Sequence, residues 1–172
     1  TGIEGVGKER AAVALAKACN CANNREGSNS AGADTLTPGL SDNRRSFTTQ
    51  ACGNCQSCRK IESDNHPDII RLNPSGPFIK IDQIRTLCRT LTLKPYEAGM
   101  RLVIISDAQA MNPAAGNALL KVLEEPPART ILVLIAAHTS DLLPTIVSRC
   151  QHIRFNPIAK INLESLLVRE HG

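Results

Sequence analysis
The glycine-rich stretch Gly2-Ile3-Glu4-Gly5-Val6-Gly7-Lys8 runs directly into an alanine-rich segment, and it narrows the fold more than any other feature of the chain. It fits G-x-x-x-x-G-K, in which glycines let backbone N–H groups approach phosphates and the lysine ammonium reaches the outer oxygens. A helix predicted over 8–19 would aim its positive N-terminal pole at the same anion. Gly2, Gly5, Gly7 and Lys8 are therefore candidate phosphate-loop residues. The next position should carry a Ser or Thr hydroxyl for Mg²⁺, and it is Glu9. A carboxylate there is repelled by a triphosphate, so this is a nucleotide-binding scaffold with its first chemical residue altered, by loss or by retuning. A phosphate loop normally follows a buried strand, and Thr1 stands only one residue ahead of the first glycine. The chain is thus expected to be a fragment of something longer, its N-terminal strand missing.

At 172 residues one main domain with one sizeable core is the default. Apolar residues make up 42% and aromatics 2%, which suits a Leu, Ile, Val and Ala core of the nucleotide-binding α/β kind. The net charge of +4 is too mild to argue for direct nucleic-acid binding. No run approaches the length of a membrane span and no signal peptide is visible, so a soluble cytoplasmic protein without a membrane partner is expected.

Residues 22–50 have the composition of a surface loop, expected to be mobile. Cys52-Gly53-Asn54-Cys55-Gln56-Ser57-Cys58 follows, a C-x2-C-x2-C pattern. Such spacing lets three thiolates converge on one structural Zn²⁺, and a closed tetrahedral site needs a fourth ligand. Cys21 is the choice, with Cys19 and His66 in reserve; the competing reading is a set of free or redox-sensitive thiols. Seven cysteines, an odd number with three clustered, favour metal over disulfides in a reducing compartment.

Further on, a helix over 59–63, a strand over 68–72, a helix capped by Asp82 with Ile81, Ile84, Leu87, Cys88 and Leu91 at helical spacing, and a strand over 101–106 are predicted. Asn112-Pro113 opens a helix to Glu125, with Ala115, Leu119, Leu120 and Leu123 as its buried stripe. A buried strand over 130–137, a helical segment over 142–147, a last strand over 151–155 and a helix over 163–168 complete the pattern. Hydrophobic strands alternating with helices mean an α/β fold with a parallel central sheet flanked by helices.

Five local patterns occur here in an order that resembles one family: the cysteine cluster with His66-Pro67-Asp68, Ile81-Asp82-Gln83-Ile84-Arg85, Asn117-Ala118-Leu119-Leu120-Lys121, Leu123-Glu124-Glu125-Pro126-Pro127 and Ser148-Arg149-Cys150. They are similar to bacterial clamp-loader subunits, the gamma/tau and delta-prime subunits of DNA polymerase III within the AAA+ superfamily. The resemblance covers all but residues 22–50. It implies an AAA+ P-loop NTPase-type domain over 1–158 with an inserted Cys-rich zinc module over about 19–66, and the truncated start of a lid domain over 159–172.

An active member needs an Asp after the central strand for Mg²⁺, a neighbouring Glu to polarise water and a polar sensor after the next strand. Those places read Ser106, Asp107 and Ala136-Ala137-His138. With Glu9, this resembles the delta-prime kind, which keeps the fold without hydrolysing ATP while forming part of the nucleotidyltransferase holoenzyme; the resemblance implies a vestigial phosphate loop with ATP binding weak or absent. What the resemblance implies for Ser148-Arg149-Cys150 is an arginine finger: Arg149 would act in trans on ATP held by a neighbouring subunit. The implied partners are the gamma/tau ATPase subunits, the delta subunit, the sliding clamp and, through the assembly, primed DNA. Two other readings stand beside this one: a working gamma/tau-like ATPase, and a zinc-dependent nucleic-acid-binding module. Glu124 and Glu125, at a helix end before Pro-Pro, read as solvated or paired with a neighbouring subunit, and Cys88 and Cys150 as core thiols.

Overall fold
A computed structural model describes residues 1–26 and 51–157. Its elements run α1 (Lys8–Asn20), α2 (Ala22–Glu26), α3 (Gln56–Glu62), β1 (Ile69–Leu72), α4 (Ile81–Thr92), β2 (Arg101–Ile105), α5 (Pro113–Glu124), β3 (Thr130–Leu134) and α6 (Pro144–Val147), with short 3-10 turns at Ala108–Ala110 and Thr139–Asp141. The strands form one parallel sheet in the order β1-β2-β3. β2 is central and every residue of it is buried, as a strand covered on both faces must be. Alternation does the sorting. Val103 and Ile105 join Leu72 against α4 and α5, whereas Leu102 and Ile104 join Ile69 against α1 and α3.

The outer edge of β3 has no strand beside it among the described residues, and all five of its residues are only half-buried. This corrects the expectation of a fully buried strand there. Nor do residues 151–155 form a strand. They are tied to the first residue, with Thr1 N–H donating to Ile153 O (2.7 Å) and Phe155 N–H donating to Thr1 O (2.8 Å). Gly2 N–H donates in turn to Ala137 O at 3.1 Å, so the start of the glycine loop is stitched between two distant segments. Between β3 and 151–155 lies an apolar slot of about 460 Å³, lined among others by Leu15, Leu132, Ile146 and Ile153. Leu15 is 40% exposed, and the buried stripe of α1 is Ala12, Ala16 and Asn20.

Several ends differ from expectation. Residues 22–26 are helical rather than loop, and residues 27–50, expected to be mobile, lie outside the described residues, as does the helix predicted over 163–168. α4 begins at Ile81 with Lys80 at its N-cap, and Gln83 Oε1 accepts from the Lys80 N–H at 2.9 Å. Asp82 therefore sits in the first turn and is not the cap. At α5 the cap is as expected: Asn112 Oδ1 accepts from Ala115 N–H at 2.8 Å with Pro113 opening the helix.

Asp68 lies just before β1, not in it. Its carboxylate accepts backbone N–H groups from Tyr96, Glu97 and Ala98, each at 2.8 Å, and faces Arg101 Nη2 at 3.6 Å. Arg101 also donates to the carbonyls of Thr90, Leu91 and Leu93 at the end of α4. One buried ion pair thus ties β1, the α4 terminus and the entry to β2 together. His66 Nδ1 accepts from Asp68 N–H at 3.2 Å, which gives the His66-Pro67-Asp68 motif a structural purpose.

Candidate functional site
Cys21 follows α1, Cys52 and Cys55 precede α3, and Cys58 stands in its first turn. The fold brings their sulfurs together, all within 4.8 Å of one another. Four thiolates about 2.3 Å from one tetrahedral ion sit about 3.8 Å apart, so a small inward shift closes the set on a metal. Cys19 and His66 are not members: burial pushes the Cys19 thiol up, and the His66 ring stands near Glu97, Nε2 to Oε1 3.7 Å.

The backbone around the four sulfurs is arranged for thiolates. Cys52 N–H points at Cys21 Sγ (3.4 Å), Cys55 N–H at Cys52 Sγ (3.3 Å) and Cys58 N–H at Cys55 Sγ (3.5 Å). Backbone N–H groups, from Ala22 first and then Cys58, lower the Cys55 pKa to about 6 despite its burial. Cys21 is lowered too, chiefly by the Cys52 N–H. Cys58, wholly buried, is pushed up to about 12 by desolvation and by its neighbour Cys55. A metal held by all four sulfurs would need each as a thiolate, so its binding would release the protons that remain.

The glycine loop takes up the backbone its sequence demands. Gly5 and Gly7 lie at φ +79° and +82°, in the left-handed region, and α1 starts immediately after Gly7. Lys8 Nζ folds back onto the carbonyls of Gly2 and Ile3. The Glu9 side chain is 56% exposed, with Oε1 3.8 Å from Arg71 Nη1. Beyond β2, Ser106 N–H donates to Leu72 O, and its buried hydroxyl has no partner among the described residues. Asp107 adopts φ +49°, with Oδ1 accepting from Gln109 Nε2 at 3.2 Å. After β3, Ala136 is buried and His138 exposed. The structure therefore sets Lys8 and Glu9 at the helix start, Ser106 and Asp107 after β2, and Ala136, Ala137 and His138 after β3.

Arg149 follows α6 and is partly exposed. Its Nε and Nη2 meet Glu124 Oε1 at 2.8 and 2.6 Å, and its Nη1 donates to Thr145 O at 3.0 Å and Ser148 Oγ at 3.3 Å. Glu124 thus pairs with Arg149 within the chain while staying half exposed to solvent. Glu125 is exposed beyond the helix end. The approach of α6 to α5 is made at Gly116, where an added Cβ would stand 2.7 Å from Leu143 Cδ1. Sequence reasoning passed over the Glu124–Arg149 pair, although one signal was present: a carboxylate in the last turn of a helix opposes the helix dipole and calls for a nearby cation.

Comparison with known proteins gives a consistent picture. The family model described as DNA polymerase III, delta subunit, matches residues 1–159. DNA polymerase III subunit delta' of Bacillus subtilis (strain 168) is 40% identical over 121 residues, 70% of this chain and 37% of that protein. Its counterpart in Escherichia coli (strain K12) is 36% identical over 104 residues, 59% of this chain and 31% of that one. The tau subunit of Salmonella typhimurium is 29% identical over 175 residues, 99% of this chain and 24% of that protein. The chain spans about a third of the length of the delta' relatives it matches. A crystal structure of a DNA polymerase III, gamma subunit-related protein from Thermotoga maritima superposes with a TM-score of 0.55 at 31% identity, over 63% of this chain and 38% of that one. The fold is the expected α/β, P-loop type with a parallel sheet between helices.

Proposed function
The chain belongs to the DNA polymerase III delta-subunit family, and on that premise we propose that it is the nucleotide-binding-type domain of a clamp-loader subunit that does not itself hydrolyse ATP. The observation that carries this reading is the C-terminal end of β2, where Ser106 and a left-handed Asp107 turned to Gln109 stand in the place of a metal carboxylate and a catalytic Glu. Glu9, facing Arg71, compounds the loss at the helix start. Without a metal ligand from either element, a triphosphate on this loop lacks the ion that neutralises the transferred phosphoryl group.

What the domain supplies is Arg149, displayed at the surface and held in order. A guanidinium is always charged and can meet γ-phosphate oxygens with two N–H groups, which suits a finger acting in trans on ATP of a gamma/tau neighbour. The assembly in which it would do so also holds a delta subunit and places the sliding clamp on primed DNA. Residues 1–158 form the AAA+ ATPase-like domain in this reading, and 159–172 begin a lid. The four cysteines hold a structural Zn²⁺, since four soft thiolate donors in a closed set suit that ion, and the metal staples α1 to α3.

The test is a loader reconstituted with the full-length protein carrying Arg149→Ala. Clamp-stimulated ATP hydrolysis is expected to fall by about a thousandfold or more at the site the finger serves while assembly persists. Unchanged hydrolysis rejects the finger. A second reading, a working gamma/tau-like ATPase, is favoured by the intact loop and Lys8; hydrolysis by the full-length protein alone, lost in Lys8→Ala, would establish it.

A further inference from the structure
We propose that Glu124 is a positioning residue for Arg149, gripping its guanidinium so that the remaining N–H groups face outward to a neighbouring subunit's nucleotide; this rests on the reading of Arg149 as a finger in trans. The geometry is one-sided. A guanidinium has five N–H groups. Glu124 Oε1 takes one from Nε at 2.8 Å and one from Nη2 at 2.6 Å, and Thr145 O takes one from Nη1 at 3.0 Å. Among the described residues, the other Nη1 hydrogen makes only the longer contact to Ser148 Oγ, 3.3 Å, and the second on Nη2 makes no further contact. Those two N–H groups, on adjacent nitrogens, are what two phosphate oxygens require.

The pair is a poor device for stability. Both side chains are substantially exposed, 35% for Arg149 and 50% for Glu124, where ion pairs contribute little. Glu124 ends α5, so its charge also sits at the negative pole of that helix. Its effect is to order a long, rotamer-rich side chain before the partner arrives, and a finger misplaced by about 1 Å loses about a hundredfold in rate. The two elements are packed together: Gly116 lets α5 approach Leu143 and Ile146 closely, on the segment that leads to Arg149.

The experiment uses the loader reconstituted from full-length subunits with clamp and primed DNA, reading kcat and KM for ATP. The variants are Arg149→Ala, Glu124→Ala, Glu124→Gln and the double Glu124→Ala/Arg149→Ala. Glu124→Ala is expected to lower kcat about ten- to a hundredfold with KM for ATP little changed. Glu124→Gln, which keeps an acceptor oxygen but no charge, should fall between it and wild type. The double variant should be no slower than Arg149→Ala alone, because Glu124 acts only through the arginine. If Arg149→Ala is slow and Glu124→Ala is as fast as wild type or faster, the positioning role is overturned and the finger stands. A double variant slower than Arg149→Ala also overturns it, since Glu124 would then act independently. If Arg149→Ala itself changes nothing, the finger fails and the positioning role fails with it. Should Glu124→Ala impair assembly, the near-isosteric Glu124→Gln decides.

Discussion

Removing the Asp68 carboxylate tests the central claim about how this domain holds its strands. Asp68 is 2% and Arg101 5% exposed in their side chains, and three 2.8 Å backbone bonds converge on the carboxylate. Asp68→Ala leaves the Arg101 charge buried with only the carbonyls of Thr90, Leu91 and Leu93 and strips the acceptor from Tyr96, Glu97 and Ala98. Breaking a buried pair from one side costs about 3–5 kcal/mol. Asp68→Asn retains one acceptor oxygen, and its cost should be about 2 kcal/mol, that of charge-assisted bonds. Against a domain stability of about 5–15 kcal/mol, the alanine variant is badly weakened. Urea unfolding of the full-length protein gives the size, and hydrogen exchange at the amides of residues 96–98 gives the place. The pH dependence has a definite sign. Burial alone would raise this carboxyl's pKa, but the N–H groups of Glu97, Tyr96 and Ala98, with Arg101, outweigh it and hold the value below normal. The unfolded chain therefore takes up a proton at higher pH than the folded one, so the stabilisation is full above about pH 4 and is lost as pH falls through the folded pKa. The gap between wild type and Asp68→Asn should narrow accordingly in acid. A loss below about 1 kcal/mol in Asp68→Ala, with exchange at residues 96–98 unchanged, would refute the reasoning.

Metal analysis of the full-length protein should find one tightly held Zn²⁺ bound by Cys21, Cys52, Cys55 and Cys58, and chelation or Cys58→Ser should lower the thermal unfolding midpoint. In chelated protein, Cys55 should alkylate as a thiolate above about pH 6 while Cys58, pushed up to about 12, stays protonated and slow; added metal should suppress both, as peptide mass mapping would record. Gly2→Ala should destabilise the loop, because a Cβ there would stand 2.5 Å from Phe155 O at φ +152°, and urea unfolding should show a loss of about 1–3 kcal/mol.

Much of the sheet was legible because hydrophobic runs declare buried strands: Arg101–Ile105 reads as central and is wholly buried. The Asn112-Pro113 helix start was legible for an equally local reason, a cap side chain and a proline that needs no N–H donor. The cysteine spacing made three of four sulfurs readable, and Cys21 joined them although residues 27–50 intervene and lie outside the described part. Local chemistry misled at Asp82, a good capping residue that stands two positions after the N-cap, because the chain enters α4 at Lys80 and the Gln83 side chain accepts from the Lys80 N–H.

The sequence by itself determined which residue types stand at each chemical position: glycines and a lysine in the loop, Glu9 after it, Ser106 and Asp107 after β2, four thiols, and one arginine after Ser148. Those are covalent facts, fixed before any packing. Tertiary structure alone decided the pairings. Asp68 meets backbone N–H groups 28 to 30 residues away, and Glu124 grips Arg149 across 25 residues. The half-burial of β3 likewise depends on what lies beside its edge, not on its own apolar run. Periodicity and spacing report only on neighbours along the chain, whereas an ion pair between distant segments exists only once packing has fixed both ends.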